Sequence, residues 1–564
     1  MRHKERNFMN DTRSDSLCKK STSLLFPLKF CNDRWLQGRD KWRVSEVAMD
    51  KWRVACLPCL IQICPIGRLE DDLLRYCQTA SLEVEEYLRR SRTDEQDEPR
   101  MFHLLLPLLL LISNVRRSQS AIIESLPGFP GDLPFKLETG YVGVGESEEV
   151  QLFYYFIESE RSPNDDPLLL WLTGGPGCSA LSGLLFEIGP LQFDYSNSSG
   201  IRPVFELNPY SWTKIANIIF LDAPAGTGFS YAMTWAAYNI NDTSSAAQTY
   251  EFLRKWLLAH PKFLTNQLYI SGDSYSGVVV PIIVKEIYDG NEAGREPPMN
   301  LKGYVLGNPV TWEVKDISQR IPYGYKTALI SDELYESTKT DCNGDYMNVD
   351  PTNGACLRDL EMVSICLEKI NIPQILEPKC SALSPNHTRL KWSRSILKEN
   401  IIDVISMPQQ SKPWCRSYNY LYSYIWANER NVQEALHIRE GMKPEWNRCN
   451  ESISYTKDIL NSVVYHRYLS KTSLRALIYS GDHDMGILYV GTLDWIRSLN
   501  LTLLGPWGPW YVDGQVAGYS ILYSENSKYD LTFTTIKGGG HTAPEYKPKE
   551  CLAMVDRWFS YYSL

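Results

Sequence analysis

The segment YISGDSYSGVVVP, residues 269–281, has the pattern of a buried strand that passes through a glycine turn into a helix. Ser274 lies in the turn, two residues after Gly272. A sharp turn between a strand and a helix exposes a serine side chain above the end of a sheet, as a nucleophile requires. The generic motif G-x-S-x-G ends here in Ser276, and the acid Asp273 precedes the serine. The segment predicts a nucleophile and leaves the contribution of Asp273 to be explained.

The composition is that of a globular protein. The chain has 564 residues, of which 43% are hydrophobic and 22% charged, and this length fits one large α/β domain with insertions. A net charge of -9 does not favour a nucleic-acid partner. No motif indicates a metal, a nucleotide or a flavin, so no cofactor is predicted.

Apolar runs and amphipathic runs alternate from about residue 150 onward, which predicts βαβ units. Strand-like runs occur at 167–175, 216–224, 267–273, 301–309, 474–484 and 529–548. Helical patterns occur at 243–261 and at about 548–562. The predicted architecture is a mostly parallel central sheet with helices on both faces.

The alternation stops between about 311 and 430, where the chain is rich in cysteine and partly helical. An insertion at this point lies over the carboxyl ends of the strands, where ligands bind in open α/β sheets. We predict a helical cap. Within it, the polar and basic residues 381–413 are expected to form an exposed loop open to proteolysis.

The apolar run MFHLLLPLLLLI, residues 101–112, is too short to span a membrane. It fits a signal peptide at 101–120, with cleavage before Ala121. Residues 1–100 are then an N-terminal extension outside the mature protein, and 121–564 form the mature domain. A secretory route, to the vacuole or the extracellular space, also agrees with five glycosylation sequons. The acceptors are Asn197, Asn241, Asn386, Asn450 and Asn500.

Three catalytic residue types follow predicted strands in the order Ser, Asp, His. They are Ser274, an acid within SGDHDM (residues 480–485) and His541. A serine hydroxyl becomes a nucleophile when a neutral histidine takes its proton and a carboxylate orients that histidine. Alone, each residue also fits a turn, a helix cap or a structural histidine. Their joint order favours catalysis.

An acyl-transfer intermediate needs donors for its negative oxygen. The N–H of Tyr275 is one candidate, and a glycine N–H of TGGPGCSAL, residues 173–181, is another. The same glycine-rich segment is also good chemistry for a tight turn.

Eight ordered blocks resemble the serine carboxypeptidase-like family of plants from about Ile123 to the C-terminus. The blocks are WLTGGPGCSAL, FEIGPL, NPYSWTKIANIIFLDAPAGTGFSYA, YISGDSYSG, GNPVT, IWANERNVQEALHI, YSGDHDM and GGGHTAPEYKP. The resemblance implies an α/β-hydrolase fold. Residues 1–100 lie outside it.

The resemblance also implies roles for single residues. Ser274 would be the nucleophile, His541 the general base and then acid, and Asp484 the catalytic acid, with Asp482 structural. Gly175 and Tyr275 would form the oxyanion hole. The implied disulfides are Cys178–Cys449, Cys342–Cys356 and Cys380–Cys415, with Cys366 and Cys551 left free.

Substrate-binding roles are implied for Thr173, Gly174, Glu187 and Asp273. Peptidases of the family typically have Asn and Glu at the positions of Thr173 and Asp273, and use them to bind the carboxylate of the peptide. Thr with Asp is the pattern of the acyltransferase branch, which takes acyl groups from 1-O-β-glucose esters. The basic stretch 387–400 also resembles a linker excised in some of those enzymes.

Three functions are therefore weighed. The first is acyl transfer from a glucose ester to a small-molecule acceptor, and the second is release of C-terminal residues from peptides. The third is a non-catalytic, chaperone-like binding protein on the same fold, which an intact triad disfavours. A proton shared between Asp273 and Glu187 is a further hypothesis. The acyl group, the acceptor and the oligomeric state are not specified by these motifs.

Overall fold

The computed structural model describes residues 119–198, 202–380, 415–441, 445–526 and 528–564. The predicted extension, nearly all of the predicted signal peptide, the sequon at Asn386 and the predicted linker lie outside the described residues. Cleavage before Ala121 would remove the first two residues of the first strand, Gln119–Ser125. The cleavage position stays a prediction.

The described part of the chain contains one 13-stranded sheet and two small sheets of two strands each. The strands are β1 Gln119–Ser125, β2 Asp132–Val144, β3 Val150–Ile157, β4 Leu168–Leu172, β5 Leu191–Phe193, β6 Phe205–Leu207, β7 Asn217–Leu221, β8 Tyr231–Ala232, β9 Ile240–Asn241, β10 Leu268–Asp273, β11 Leu301–Gly307, β12 Tyr455–Thr456, β13 Arg475–Gly481, β14 Thr502–Leu503, β15 Gly508–Val512, β16 Gln515–Glu525 and β17 Tyr529–Ile536. The two small sheets are β5 with β6 and β9 with β12. The main path of the 13-stranded sheet has the order β1-β2-β3-β7-β4-β10-β11-β13-β17-β16-β14, with β8 paired to β3 and β15 paired to β16.

The centre of this sheet, from β7 to β17, is parallel throughout. Its strands lie within the six apolar runs that the sequence indicates. The outer strands β1 to β3 and β14 to β16 are antiparallel, and those runs did not include them. The mostly parallel sheet is confirmed, with two antiparallel edges added.

Helices cover both faces of the sheet. The described helices are α1 Asp242–Ala259, α2 Ser276–Glu292, α3 Glu313–Ser318, α4 Arg320–Lys326, α5 Asp332–Asp341, α6 Gly354–Leu367, α7 Asn419–Ala427, α8 Arg430–Ala435, α9 Val463–Leu469, α10 Tyr489–Ser498, α11 Ala543–Tyr546 and α12 Pro548–Phe559. Because successive strand residues point to opposite faces, Leu168 and Leu170 pack with α1 and α2, whereas Leu169 and Trp171 pack with α12.

Helices α3 to α8 fill the interval between the neighbouring strands β11 and β13, where the cap is predicted. Two side chains of α4 hold this segment against the loop after β13. Tyr323 donates its hydroxyl to the carbonyl of Asp482 at 2.8 Å, and Arg320 Nε donates to the carbonyl of Met485 at 3.1 Å. The helical segment is thereby attached to the loop that follows the strand.

The structure contains the three disulfides that the resemblance implies. They are Cys178–Cys449, Cys342–Cys356 and Cys380–Cys415. Among the described cysteines, Cys366 on the surface and the buried Cys551 are unpaired. The Cys178–Cys449 bond spans 271 residues, and the entropy lost by the unfolded chain in so long a loop corresponds to about 5–6 kcal/mol in the chain-entropy model.

A fully buried histidine packs against the central sheet. His466 of α9 is fully buried, and its Nδ1 shares a hydrogen bond of 2.9 Å with the hydroxyl of Tyr304. Its Nε2 has no partner among the described residues. Burial lowers the pKa of His466 to about 3, from 6.5, because a buried imidazolium loses its hydration.

Acid should therefore destabilise the fold through His466. The unfolded chain takes up the proton near pH 6.5 and the folded chain only near pH 3, so the free energy of unfolding falls as the pH drops between these values. From pH 7.5 to 4.5 the loss from this group is about 2–3 kcal/mol. We expect urea unfolding of His466→Gln to show a smaller loss over this range. The exposed His437→Gln should keep the wild-type dependence, and parallel curves for all three proteins would contradict the assignment.

Candidate active site

The turn between β10 and α2 holds Ser274 in a left-handed conformation, with φ of +54°. Its N–H donates to the carbonyl of Gly307 on β11 at 2.9 Å. Two neighbouring glycines have no room for a side chain, since a Cβ on Gly272 or Gly277 would lie 2.5 Å from backbone or proline atoms of adjoining segments. Ser276 replaces the last glycine of the generic motif without strain, and its hydroxyl donates to the carbonyl of Leu172 at 2.9 Å.

The residues Ser274, His541 and Asp484 form one connected hydrogen-bonded group. His541 Nε2 is 2.8 Å from Ser274 Oγ, and its Nδ1 is 2.7 Å from Asp484 Oδ2. Asp484 is fully buried. It accepts further hydrogen bonds from Asn308 Nδ2 at 2.9 Å and from the N–H of Gly486 at 2.7 Å. These donors hold the carboxylate in the orientation that fixes the Nδ1–H tautomer of the imidazole.

Among the described residues, the carboxylate that is hydrogen-bonded to His541 is that of Asp484, and Asp482 has other partners. Its Oδ1 accepts the N–H of Gly538 at 2.7 Å, in the glycine loop that leads to the histidine. Gly481 and Gly540 pack so closely that a Cβ on the former would lie 2.1 Å from the carbonyl oxygen of the latter. The carboxylate of Asp482 thus shapes the loop, whereas that of Asp484 contacts the imidazole.

The environment of His541 favours its role as a base. Burial lowers its pKa, but the charge and hydrogen bond of Asp484 raise it more, so the net shift is upward. Asp273 adds to the rise and Arg448 opposes it. A raised pKa makes the neutral imidazole a stronger base, and it also means that acid protonates the imidazole more readily.

The glycine segment after β4 packs directly against the nucleophile. A Cβ on Gly174 would lie 2.6 Å from Ser274 Cβ and 2.7 Å from the nitrogen of Tyr275. Gly175 follows with φ of +121° and is exposed. No described residue accepts a hydrogen bond from the N–H of Gly175 or of Tyr275. Both donors remain available beside the serine, as an oxyanion hole requires.

Two acids with raised pKa values lie beside this group. Asp273 is buried, and its Oδ1 accepts the N–H of Gly174 at 3.1 Å. Glu187 ends a single π-helical turn, Gly183–Glu187, and its buried Oε2 has no partner among the described residues. Burial raises the pKa of both carboxyls, and the negative charge of Asp273 raises that of Glu187 further. At least one acid of the pair is therefore protonated more readily than an exposed carboxyl.

Three residues at the site were not identified from the sequence. Arg448 lies over the ring of Tyr420 at 4.0 Å, and its charge opposes the rise in the pKa of Glu187 and Asp273. Glu545 accepts hydrogen bonds from the hydroxyls of Tyr420 and Thr542. Asn308, which orients Asp484, follows β11 directly, and a polar residue at a strand's carboxyl end was the signal that could have found it.

The described sequon asparagines differ in exposure. Asn197 and Asn500 are exposed, whereas Asn241 and Asn450 are half-buried. Asn241 caps α1, and Asn450 Nδ2 donates to the carbonyl of Gly226 at 2.9 Å. Glycosylation of these residues stays a prediction. In the described part of the chain, no cluster of three or more ligating side chains fits a metal ion, and no helix has the length and apolarity of a membrane span.

The fold and site define an α/β-hydrolase with a Ser-His-Asp group for acyl transfer. Comparison with known proteins gives the family: a profile described as serine carboxypeptidase matches residues 127–561. Serine carboxypeptidase-like 7 of Arabidopsis thaliana is 48% identical over 457 residues, which cover 81% of this chain and 97% of that protein. Serine carboxypeptidase-like 8 of the same plant is 48% identical over 453 residues, 80% of this chain and 98% of its own length. The chain belongs to the serine carboxypeptidase family.

A solved structure agrees with the fold. A prohormone-processing carboxypeptidase from Saccharomyces cerevisiae aligns with a TM-score of 0.59 and covers 78% of this chain and 94% of its own. The two sequences are 19% identical, so this likeness supports the architecture alone.

The choice of Asp484 over Asp482 can be tested with a matched pair of variants. Asp484→Asn places an amide beside His541 Nδ1 and favours the wrong imidazole tautomer. It should therefore lower the second-order rate at which a fluorophosphonate labels Ser274 by about 10⁴ at pH 7.5. Asp482→Asn keeps an oxygen that can accept the N–H of Gly538, so the same labelling rate should fall by about tenfold at most. A larger loss in Asp482→Asn would reverse the assignment.

Proposed function

We propose that this protein is an acyltransferase that takes acyl groups from 1-O-β-glucose esters through an acyl-serine intermediate. The observation that carries the proposal is the engagement of Thr173 and Asp273 within the protein. Asp273 Oδ1 is bound to the N–H of Gly174 at 3.1 Å. The hydroxyl oxygen of Thr173 accepts a hydrogen bond of 3.3 Å from Trp171 Nε1. Neither group has the reach of the Asn and Glu that bind a peptide's carboxylate in the family's peptidases.

The reaction proceeds in two displacements. Ser274 Oγ attacks the ester carbonyl while its proton passes to His541 Nε2, and the N–H groups of Gly175 and Tyr275 stabilise the oxyanion. The C–O bond to glucose breaks as the imidazolium returns the proton to the leaving oxygen. An acceptor alcohol or amine then gives its proton to His541 and attacks the acyl-serine, and Ser274 is released with its proton restored.

The second candidate is a serine carboxypeptidase, and the buried acid pair is the observation in its favour. The pKa values of Glu187 and Asp273 are raised, so these carboxyls take up a proton more readily than exposed ones. A protonated carboxyl can donate a hydrogen bond to the carboxylate of a peptide. Both candidates use the same triad. They differ in whether water or an acceptor molecule removes the acyl group.

The proposed setting is the secretory pathway, in the vacuole or outside the cell. Three disulfides in the described chain agree with an oxidising compartment. The proposed partners are small molecules, a glucose ester and its acceptor. A non-catalytic binding role receives less support, because the hydrogen bonds from Ser274 through His541 to Asp484 are complete.

Two assays on the mature protein separate the candidates. One supplies 1-O-acyl-glucoses with a panel of alcohol and amine acceptors, and the other supplies blocked dipeptides at pH 5. We expect transfer of the acyl group to exceed hydrolysis of peptides. Ser274→Ala should abolish whichever reaction is found, because both require the acyl-serine. Peptide hydrolysis without transfer would overturn the proposal in favour of the peptidase.

A double variant tests the residues that carry the proposal. Thr173→Asn with Asp273→Glu restores the peptidase pattern and should raise the ratio of peptide hydrolysis to acyl transfer by about tenfold or more, the worth of one added hydrogen bond to a charged group. The control is Ser276→Gly, which restores only the generic motif and should leave the ratio unchanged. An unchanged ratio in the double variant would show that these two positions do not select the substrate.

A further inference from the structure

The side chain of Tyr275 is held in a way that the mechanism above does not require. That mechanism uses only its backbone N–H, yet the ring is buried and its hydroxyl donates to Asp242 Oδ1 at 2.9 Å. Lys457 Nζ lies 5.3 Å from the centre of the ring, and the ring of Tyr455 meets it edge-on at 6.0 Å. The hydroxyl end of the Tyr275 side chain is thus held in place, next to the nucleophile in sequence.

The same carboxylate holds a second segment of the chain. Asp242 Oδ1 also accepts the hydroxyl of Tyr455 at 2.8 Å, and Oδ2 accepts the N–H of Ile459 at 2.9 Å. All three partners are donors that face one fully buried carboxylate. Asp242 is the first residue of α1, so a regular helix anchors it.

The segment from 449 to 459 connects this carboxylate to the glycine loop of the oxyanion hole. Cys449 is bonded to Cys178, which lies in that loop. The N–H of Asn450 donates to the carbonyl of Gly177 at 2.9 Å, and a Cβ on Gly177 would lie 2.9 Å from Ile453. The two candidate oxyanion donors come from different loops, and Asp242 is hydrogen-bonded to Tyr275 and to the segment that supports Gly175.

We propose that Asp242 is a positioning residue that sets the distance between the two N–H donors of the oxyanion hole. The inference rests on the proposed function, since it takes Ser274 to be the nucleophile and Gly175 and Tyr275 to be the donors. A donor stabilises the transition state only within about 2.7–3.1 Å of the oxyanion. Three hydrogen bonds to one rigid carboxylate restrict both loops, so that neither donor has to be brought into place during the reaction.

A purely structural role would be an acid at the start of α1, where the helix dipole favours a negative charge. The two roles predict different results for Tyr275→Phe. That variant removes one hydroxyl and leaves both N–H donors, the ring and the acid in place. Loss of stability alone would then lower the melting temperature without changing the rate per folded molecule, whereas loss of positioning lowers that rate.

Tyr154→Phe is the matched control, because it also removes a buried tyrosine hydroxyl that donates to a carboxylate. Tyr154 donates to Glu138 Oε1 at 2.7 Å, and both residues lie on the outer antiparallel strands β2 and β3. The chemistry of the lost hydrogen bond is the same, and its location differs. The pair therefore separates a general cost of removing such a bond from an effect on the oxyanion hole.

The experiment measures the second-order rate at which a small fluorophosphonate labels Ser274 in the full-length protein, with the rate normalised to the total label incorporated. We expect Tyr275→Phe to lower this rate by about tenfold. Asp242→Asn should lower it by about 100-fold, which approaches the effect of removing one oxyanion donor entirely. Tyr154→Phe should keep the wild-type rate within about twofold, while its melting temperature falls as much as that of Tyr275→Phe.

The outcomes distinguish the inference from the function on which it rests. Wild-type protein that does not react would overturn the proposed function and the inference together. Wild-type protein that reacts, with equal rates for Tyr275→Phe and Tyr154→Phe, would overturn only the inference. If Asp242→Asn does not fold, Tyr275→Phe and Tyr455→Phe decide the question, and a reduced rate in both would support the positioning role.

Discussion

The conformation of Ser274 is the constraint on which the site depends. A non-glycine residue with φ of +54° is unfavourable by itself, and the packing around it makes this conformation the one that fits. Its N–H bonds to Gly307 of the next parallel strand, and Gly272 and Gly277 allow the backbones on either side to approach closely. The central sheet thus holds the hydroxyl of Ser274 above the carboxyl ends of the strands. His541, in the loop after β17, contacts the hydroxyl there.

The buried acids of the site differ in the hydrogen bonds that their carboxyl groups accept. Asp484 is buried, and its carboxylate accepts hydrogen bonds from Asn308 and from two backbone N–H groups. Glu187 has a buried oxygen without a donor among the described residues, and burial together with the negative charge of Asp273 raises its pKa. The two buried acids therefore differ in the hydrogen-bond donors that surround them.

The central strands could be predicted because strands buried on both faces are nearly continuous apolar runs. Strand β16 could not, since its side chains are partly exposed and lie on an antiparallel edge. Strand β3 is buried along its whole length, and its aromatic run VQLFYYFI was a signal that could have found it. The part played by Asp242 could not be predicted, because Tyr455 lies more than two hundred residues away and no local pattern connects them.

By itself, the sequence determined the order of nucleophile, acid and base, because each of these residue types occurs at the end of a recognisable strand. It also indicated the family, because eight ordered blocks of residues resemble it. The tertiary structure alone decided how Ser276 substitutes for glycine and which carboxylate is hydrogen-bonded both to Tyr275 and to the segment 449–459. It also places Asp484, the acid that the resemblance implied, against His541. The reason is physical. Catalysis depends on distances of about 3 Å between groups that lie hundreds of residues apart, and only the packed sheet and its disulfide bring them together.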